Sequence, residues 1–169
     1  MKSSARAKRN CSPGKRNSSP GKTKRRPERN ETASRRNGEA CANLMHVTTA
    51  PVCVLGLGLI GGSVLRAAVR AGRTAWGYNR SVNAVAESTE AGFDTGTDLV
   101  AALTRAADTD ALVVIAVPMF AVDPVLEAIG EYAPNNRLTD VVSVKVEMAD
   151  AVARHGLSAR YVGGHPMAG

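Results

Sequence analysis

Residues 52–63 read VCVLGLGLIGGS. Val52–Leu55 is a short apolar run that predicts a strand, and an apolar-periodic stretch from about Leu59 to Ala71, closed by Gly72, predicts a helix. Between them Gly56, Gly58 and Gly61 stand in the spacing G-x-G-x-x-G. In a strand–turn–helix setting each glycine has a task. Gly56 permits the tight turn, Gly58 lets backbone approach a pyrophosphate, and Gly61 lets the helix close on the strand. The phosphates would lie at the helix N-terminus, beside Leu59 and Ile60, where unpaired N–H groups and the positive end of the helix dipole meet negative charge. The stretch predicts a dinucleotide site. A glycine turn that binds nothing is the plainer alternative.

Outward from this unit, strand and helix signals alternate. TAWGYNR (74–80) predicts a second strand, Val82 to Ala91 a helix, and the surroundings of Phe93 a brief strand. A helix over Asp98 to Arg105 leads to the apolar run DALVVIAVP (110–118). A helix from Val122 to Ala133, a strand LTDVVSVK (138–145), a helix from about Glu147 to His155 and a last strand RYVGGHP (160–166) complete the pattern. Apolar strands separated by helices imply a parallel sheet covered on both faces and joined by right-handed crossovers. The expected fold class is α/β, a doubly wound parallel sheet of the Rossmann type, over residues 47–169.

The end of the second strand decides which dinucleotide. An acid about 20 residues after the first glycine would bond the ribose 2′-hydroxyl, whereas an arginine would accept a 2′-phosphate. The position falls on Asn79, Arg80 and Ser81, and no acid appears until Glu87. An amide, a guanidinium and a hydroxyl suit a phosphate monoester, so NADP is favoured over NAD. The plainer alternative is an exposed loop charge at Arg80. Val117 and Pro118, at the end of the fourth strand, would let ribose and nicotinamide pass close to backbone, or simply end the strand.

The first 46 residues have a different texture. They carry 13 of the 22 Lys and Arg, three of the 15 acids, no Phe, Trp or Tyr, and two copies of SPGK. The basic pI of about 9.8 therefore describes this segment, and residues 47–169 are net acidic. Too little apolar area is present to offset ordering entropy, which predicts a disordered tail. It reads as a nucleic-acid-binding arm, a solvated extension, or sequence upstream of a true start at Met45. A charge run is more often solvated than functional, so no nucleic-acid partner is expected. The three cysteines (Cys11, Cys41, Cys53) lack metal-ligand spacing, and no metal is expected. The longest apolar stretch, from Val52, is about half of the ~18 residues a bilayer span needs. No apolar segment follows the basic N-terminus as in a secretory signal. The expectation is a cytoplasmic protein.

VLGLGLIGGS (54–63), VVSVK (141–145) and GGHPMAG (163–169), in this order, resemble the prephenate and arogenate dehydrogenases of tyrosine biosynthesis. The likeness runs from about Val52 to Gly169. It implies oxidation of a cyclohexadienol: hydride leaves for the nicotinamide, the ring carboxylate departs as CO₂, and the ring becomes aromatic. It further implies that His165 accepts or polarises the hydroxyl proton and that Ser143 orients the histidine and the hydroxyl. The chemistry agrees, because hydride loss is easier as the oxygen gains negative charge, and imidazole titrates near neutral pH. His165 sits between Gly164 and Pro166, and glycine neighbours would permit close approach of a ligand. Lys145 would serve substrate carboxylates or cover the sheet edge, with the second favoured; His155 reads as a helix-capping or surface residue. In that family a mostly helical domain follows, binds the substrate's carboxylates and forms the dimer. The resemblance thus implies a truncated chain that binds nucleotide but turns over prephenate poorly, with a homodimer only where the second domain is present. Another NADP-dependent oxidoreductase remains an alternative, though it leaves GGHPMAG unexplained.

Overall fold

The computed structural model describes residues 49–166. The expectations for the basic segment, Met45 and the last three residues lie outside them. Six strands form one parallel sheet in the order β3-β2-β1-β4-β5-β6: β1 Val52–Leu55, β2 Ala75–Tyr78, β3 Thr95–Gly96, β4 Leu112–Ile115, β5 Leu138–Asp140 and β6 Tyr161–Val162. Five α-helices alternate with them: α1 Leu59–Arg70, α2 Val82–Glu90, α3 Leu99–Asp108, α4 Val122–Tyr132 and α5 Lys145–Arg154. This is the doubly wound α/β fold that the alternation predicts, with its strand order reversing between β1 and β4.

The central strand shows why the sequence needs cover on two sides. All four residues of β1 are buried, and their side chains alternate between faces. Val52 and Val54 join Leu65 and Ala68 of α1 in one core. Cys53 and Leu55 join Leu103, Leu126, Ile129, Met148 and Val152, contributed by α3, α4 and α5, in the other. Burial pushes the Cys53 thiol up to about 12; it donates to the Ala102 carbonyl, packing inertly as its position implies. Register is continuous across the middle of the sheet, with Leu55 opposite Tyr78 on one side and Ile115 on the other. Three strands therefore end level, with their carboxyl ends facing one crevice.

Several boundaries differ from expectation, each for a local reason. Phe93 does not pair; it follows Gly92, whose φ is +85°, and packs on the α1 face, so β3 starts at Thr95. Asp98 is the N-cap of α3, accepting from the Ala101 N–H at 3.0 Å, and that helix runs on to Asp108. The fifth strand stops at Asp140 rather than Lys145, because the Asp140 carboxylate turns back to accept the Val142 N–H at 2.7 Å. Lys145 consequently opens α5 instead of ending a strand. The last strand is only Tyr161–Val162, so His165 stands beyond pairing.

Candidate active site

A crevice of about 730 Å³ opens at the carboxyl ends of β1, β2, β4 and β5. One wall is the glycine turn, Gly56, Gly58, Leu59, Ile60 and Gly61. Tyr78, Asn79 and Arg80 close the β2 end, Val117 and Pro118 the β4 end, and Val141, Val142 and Ser143 the β5 end. Of the residues expected at the cofactor, nine meet here. Ser81 does not line the crevice; its hydroxyl caps α2, accepting from the Ala84 N–H at 3.4 Å.

The three motif glycines separate cleanly when a Cβ is placed on each. At Gly56, with φ +104°, it would stand 2.5 Å from the Ala116 carbonyl oxygen. At Gly61 it would stand 1.9 Å from the Gly56 oxygen and 2.9 Å from Ala116 Cβ. Both are demanded by packing of the turn on β1 and the end of β4. At Gly58 nothing lies within 4 Å. Protein packing gives no reason for that glycine, but a ligand backed against the turn does. Gly58 is also the N-cap of α1, its φ and ψ extended, with no side-chain capping bond and no acid in the first turn. The N-terminus of a 12-residue helix thus faces the crevice without a competing anion. The residues present fit a dinucleotide's pyrophosphate.

At the β2 end the Arg80 guanidinium lies 5.8 Å from the centroid of Phe120, an exposed ring in the segment after Pro118. Arginine and ring thus meet across the crevice mouth. Asn79 accepts the Ser81 N–H at 3.4 Å.

The two expected catalytic residues are placed differently. Ser143 is exposed on the crevice wall, in the turn between β5 and α5. His165 is exposed but does not line the crevice. Its glycine neighbour also has another explanation than ligand approach: a Cβ on Gly164 would stand 2.7 Å from the Asp140 carbonyl oxygen, so glycine is required to lay the chain against the end of β5. His155 caps α5 as expected, its Nε2 3.1 Å from Asp123 on α4. Together with Arg154 it holds the Asp123 carboxyl below the usual range, through hydrogen bonds first and charge second.

Sequence reasoning overlooked Asp140. Its side chain is buried, and four groups converge on it: the Val142 N–H, the Lys145 ammonium, the Tyr161 hydroxyl and the Gly164 N–H. Lys145 therefore pairs with a carboxylate of its own chain, a partner that neither reading offered for it included. Burial, and then the bond and charge of Asp140, raise the Tyr161 phenol well above its ordinary value. No spacing rule signals such a hub, because its partners are up to 24 residues away. Among the described residues no group of three or more His, Cys, Asp or Glu could hold a metal, and no helix is long and apolar enough to cross a membrane.

The model of the prephenate dehydrogenase nucleotide-binding domain matches residues 63–169. The chain belongs to the prephenate dehydrogenase family. The match begins just after the glycine turn and takes in both VVSVK and GGHPMAG. A solved structure from Corynebacterium glutamicum, assigned as a prephenate dehydrogenase, is 54% identical with a TM-score of 0.68, over 71% of this chain and 37% of that one. Two more distant structures share the fold. Prephenate dehydrogenase from A. aeolicus, solved with hydroxyphenyl propionate and NAD+, is 20% identical with a TM-score of 0.55, over 72% of this chain and 43% of that one. The reductive aminase from Aspergillus terreus, solved with NADPH4, is 22% identical with a TM-score of 0.56, over 71% of this chain and 42% of that one. The present chain thus spans well under half the length of these structures. No curated protein matches it.

The crevice has the glycine turn on one side and, on the other, Ser143 within the stretch that matches the nucleotide-binding domain of this family.

Proposed function

We propose that this chain is the nucleotide-binding part of a cytoplasmic, NADP-preferring prephenate dehydrogenase of tyrosine biosynthesis, with arogenate as the alternative substrate. The observation that carries the reading is the unfilled space at Gly58, on the same crevice as Ser143 of VVSVK, in a chain of this family. When bound, the nicotinamide supplies the hydride acceptor.

The chain's own residues do the rest. The turn at Gly56–Gly61 and the α1 N-terminus hold the pyrophosphate by N–H groups and dipole. Arg80 and Asn79 take the 2′-phosphate at an end of β2 that carries no acid, which supports NADP; NAD, lacking that phosphate, gains nothing from Arg80. Ser143, exposed on the crevice wall, holds the substrate hydroxyl. His165 receives the proton of that hydroxyl as hydride leaves and CO₂ departs. Because His165 is outside the crevice wall, this requires its imidazole, just past the tethered Gly164, to turn toward the nicotinamide end when substrate is present.

Calorimetric titration of the chain with NADP and NAD tests the nucleotide half. Tighter binding of NADP is expected, and binding of neither would refute the reading. Formation of reduced nicotinamide on adding prephenate or arogenate tests the chemistry, and the faster substrate names the activity. Oxidation of neither by a chain that binds NADP would place the activity outside these residues.

A further inference from the structure

Asp140 is a carboxylate with 1% of its surface exposed, at the carboxyl end of β5. Burying such a charge is costly unless it is paired and its lone pairs are filled. Here they are filled in a divided way. Oδ1 accepts the Val142 N–H at 2.7 Å and the Lys145 ammonium, the residues that flank Ser143. Oδ2 accepts the Tyr161 hydroxyl at 2.5 Å and the Gly164 N–H at 3.3 Å, the latter immediately before His165. One oxygen therefore fixes the turn that bears the serine, and the other fixes the segment that bears the histidine. Asp140 itself does not line the crevice.

We propose that Asp140 is a positioning residue that sets Ser143 and His165 in mutual register, each through its own carboxylate oxygen. Its link to catalysis rests on the function proposed above; the tether itself does not. A buried anion suits the task because each of its four partners is a donor, and bonds to a charged acceptor are the strong ones. Neutral substitutes must leave a donor unmet.

Asparagine separates the two arms. It is nearly isosteric, and its one oxygen stays with the Val142 N–H and the Lys145 ammonium, where an amide NH₂ would be worst placed. The NH₂ then faces Gly164, whose N–H loses its acceptor, while the Tyr161 hydroxyl can reverse and accept. In the full chain carrying Asp140→Asn, hydrogen exchange at the Gly164 amide should quicken roughly tenfold to a hundredfold, with exchange at Val142 and NADP affinity unchanged. Tyr161 ionisation, followed by ultraviolet absorbance, should move down toward the ordinary tyrosine value. In prephenate oxidation kcat should fall with KM for NADP unchanged. Asp140→Ala should quicken both amides and also weaken NADP binding, since Val142 and Ser143 line the crevice. If the alanine variant does not fold, the asparagine variant decides alone. The proposal is overturned if Asn quickens Val142 and Gly164 together or neither, or if Tyr161 titrates as in the parent chain. A parent chain that binds no dinucleotide would end the proposed function instead, while the amide pattern and the tyrosine titration would still decide the tether.

Discussion

The two sides of the crevice are built by different means. The glycine-turn side is built from residues 52–63 by backbone packing against backbone, Gly61 on the Gly56 oxygen inside the stretch and Gly56 on the Ala116 oxygen at the end of β4. The β5–β6 side is assembled by one buried side chain whose four partners extend from Val142 to Gly164. The first kind of construction admits only glycine at fixed spacing and so is written into the local sequence. The second needs an acid somewhere and donors elsewhere, and leaves no spacing behind.

The sharpest way to break this contrast is within the motif itself. Gly61→Ala puts a Cβ 1.9 Å from a backbone oxygen, which cannot swing aside as a side-chain tip could. We expect a loss of about 3 kcal/mol or more in denaturant unfolding, together with loss of NADP binding. A variant of parental stability would show that α1 can shift on β1, and the packing account of this glycine would fail.

Gly58→Ala carries the next largest effect and should separate binding from stability. Its φ of −75° suits alanine and no atom lies within 4 Å of the added methyl. The main cost to folding is an N-cap less favourable than glycine, about 0.5–1 kcal/mol. The methyl instead occupies the place of the pyrophosphate, and NADP affinity should fall about tenfold or more. Equal affinity for parent and variant would mean that nothing approaches the turn there.

These two glycines also measure what the sequence makes legible. The sheet, its covering helices and the glycine turn follow from periodicity and from residues close together in the chain. The distinction between Gly56 and Gly61 as packing glycines and Gly58 as an open one agrees with the tasks their spacing implies. Legibility fails at β5. There LTDVVSVK looks like one continuous strand, yet Asp140 ends it by accepting the Val142 N–H, so Lys145 falls on a helix and pairs inward. At Gly164, too, contact with the Asp140 carbonyl oxygen adds a packing reason for glycine that no spacing displays. Both features escape local rules because Asp140 acts over a distance the chain does not display.

Arg80→Ala tests whether the β2 end belongs to the locally legible side. The side chain's visible contact is Phe120, at 5.8 Å from an exposed ring, so its removal should change stability by only about 0.5 kcal/mol. If the guanidinium takes a 2′-phosphate, NADP affinity should fall by about tenfold or more and NAD affinity should stay where it was. Equal weakening toward both dinucleotides would reduce Arg80 to a general electrostatic contribution. No change toward either would make it the exposed loop charge that a lone arginine otherwise suggests.

The smallest effect sharpens the comparison from the other side, by pH. Tyr161 has its phenol raised above the ordinary value, by burial first and by Asp140 second. A group whose folded value lies above its unfolded one contributes stability that is complete below the unfolded value, about 10 for tyrosine, and that declines as pH rises toward the folded value. Alkaline solution should therefore loosen the β6 end before the glycine turn is affected. Hydrogen exchange corrected for its intrinsic pH dependence should show protection at Gly164 falling above about pH 10 while amides of β1 keep theirs. Tyr161→Phe checks the source, because it removes the phenol's titration while the Lys145 ammonium still meets the other oxygen of Asp140. The variant should show little alkaline loss at Gly164, and one that kept the full loss would show that the phenol is not its cause.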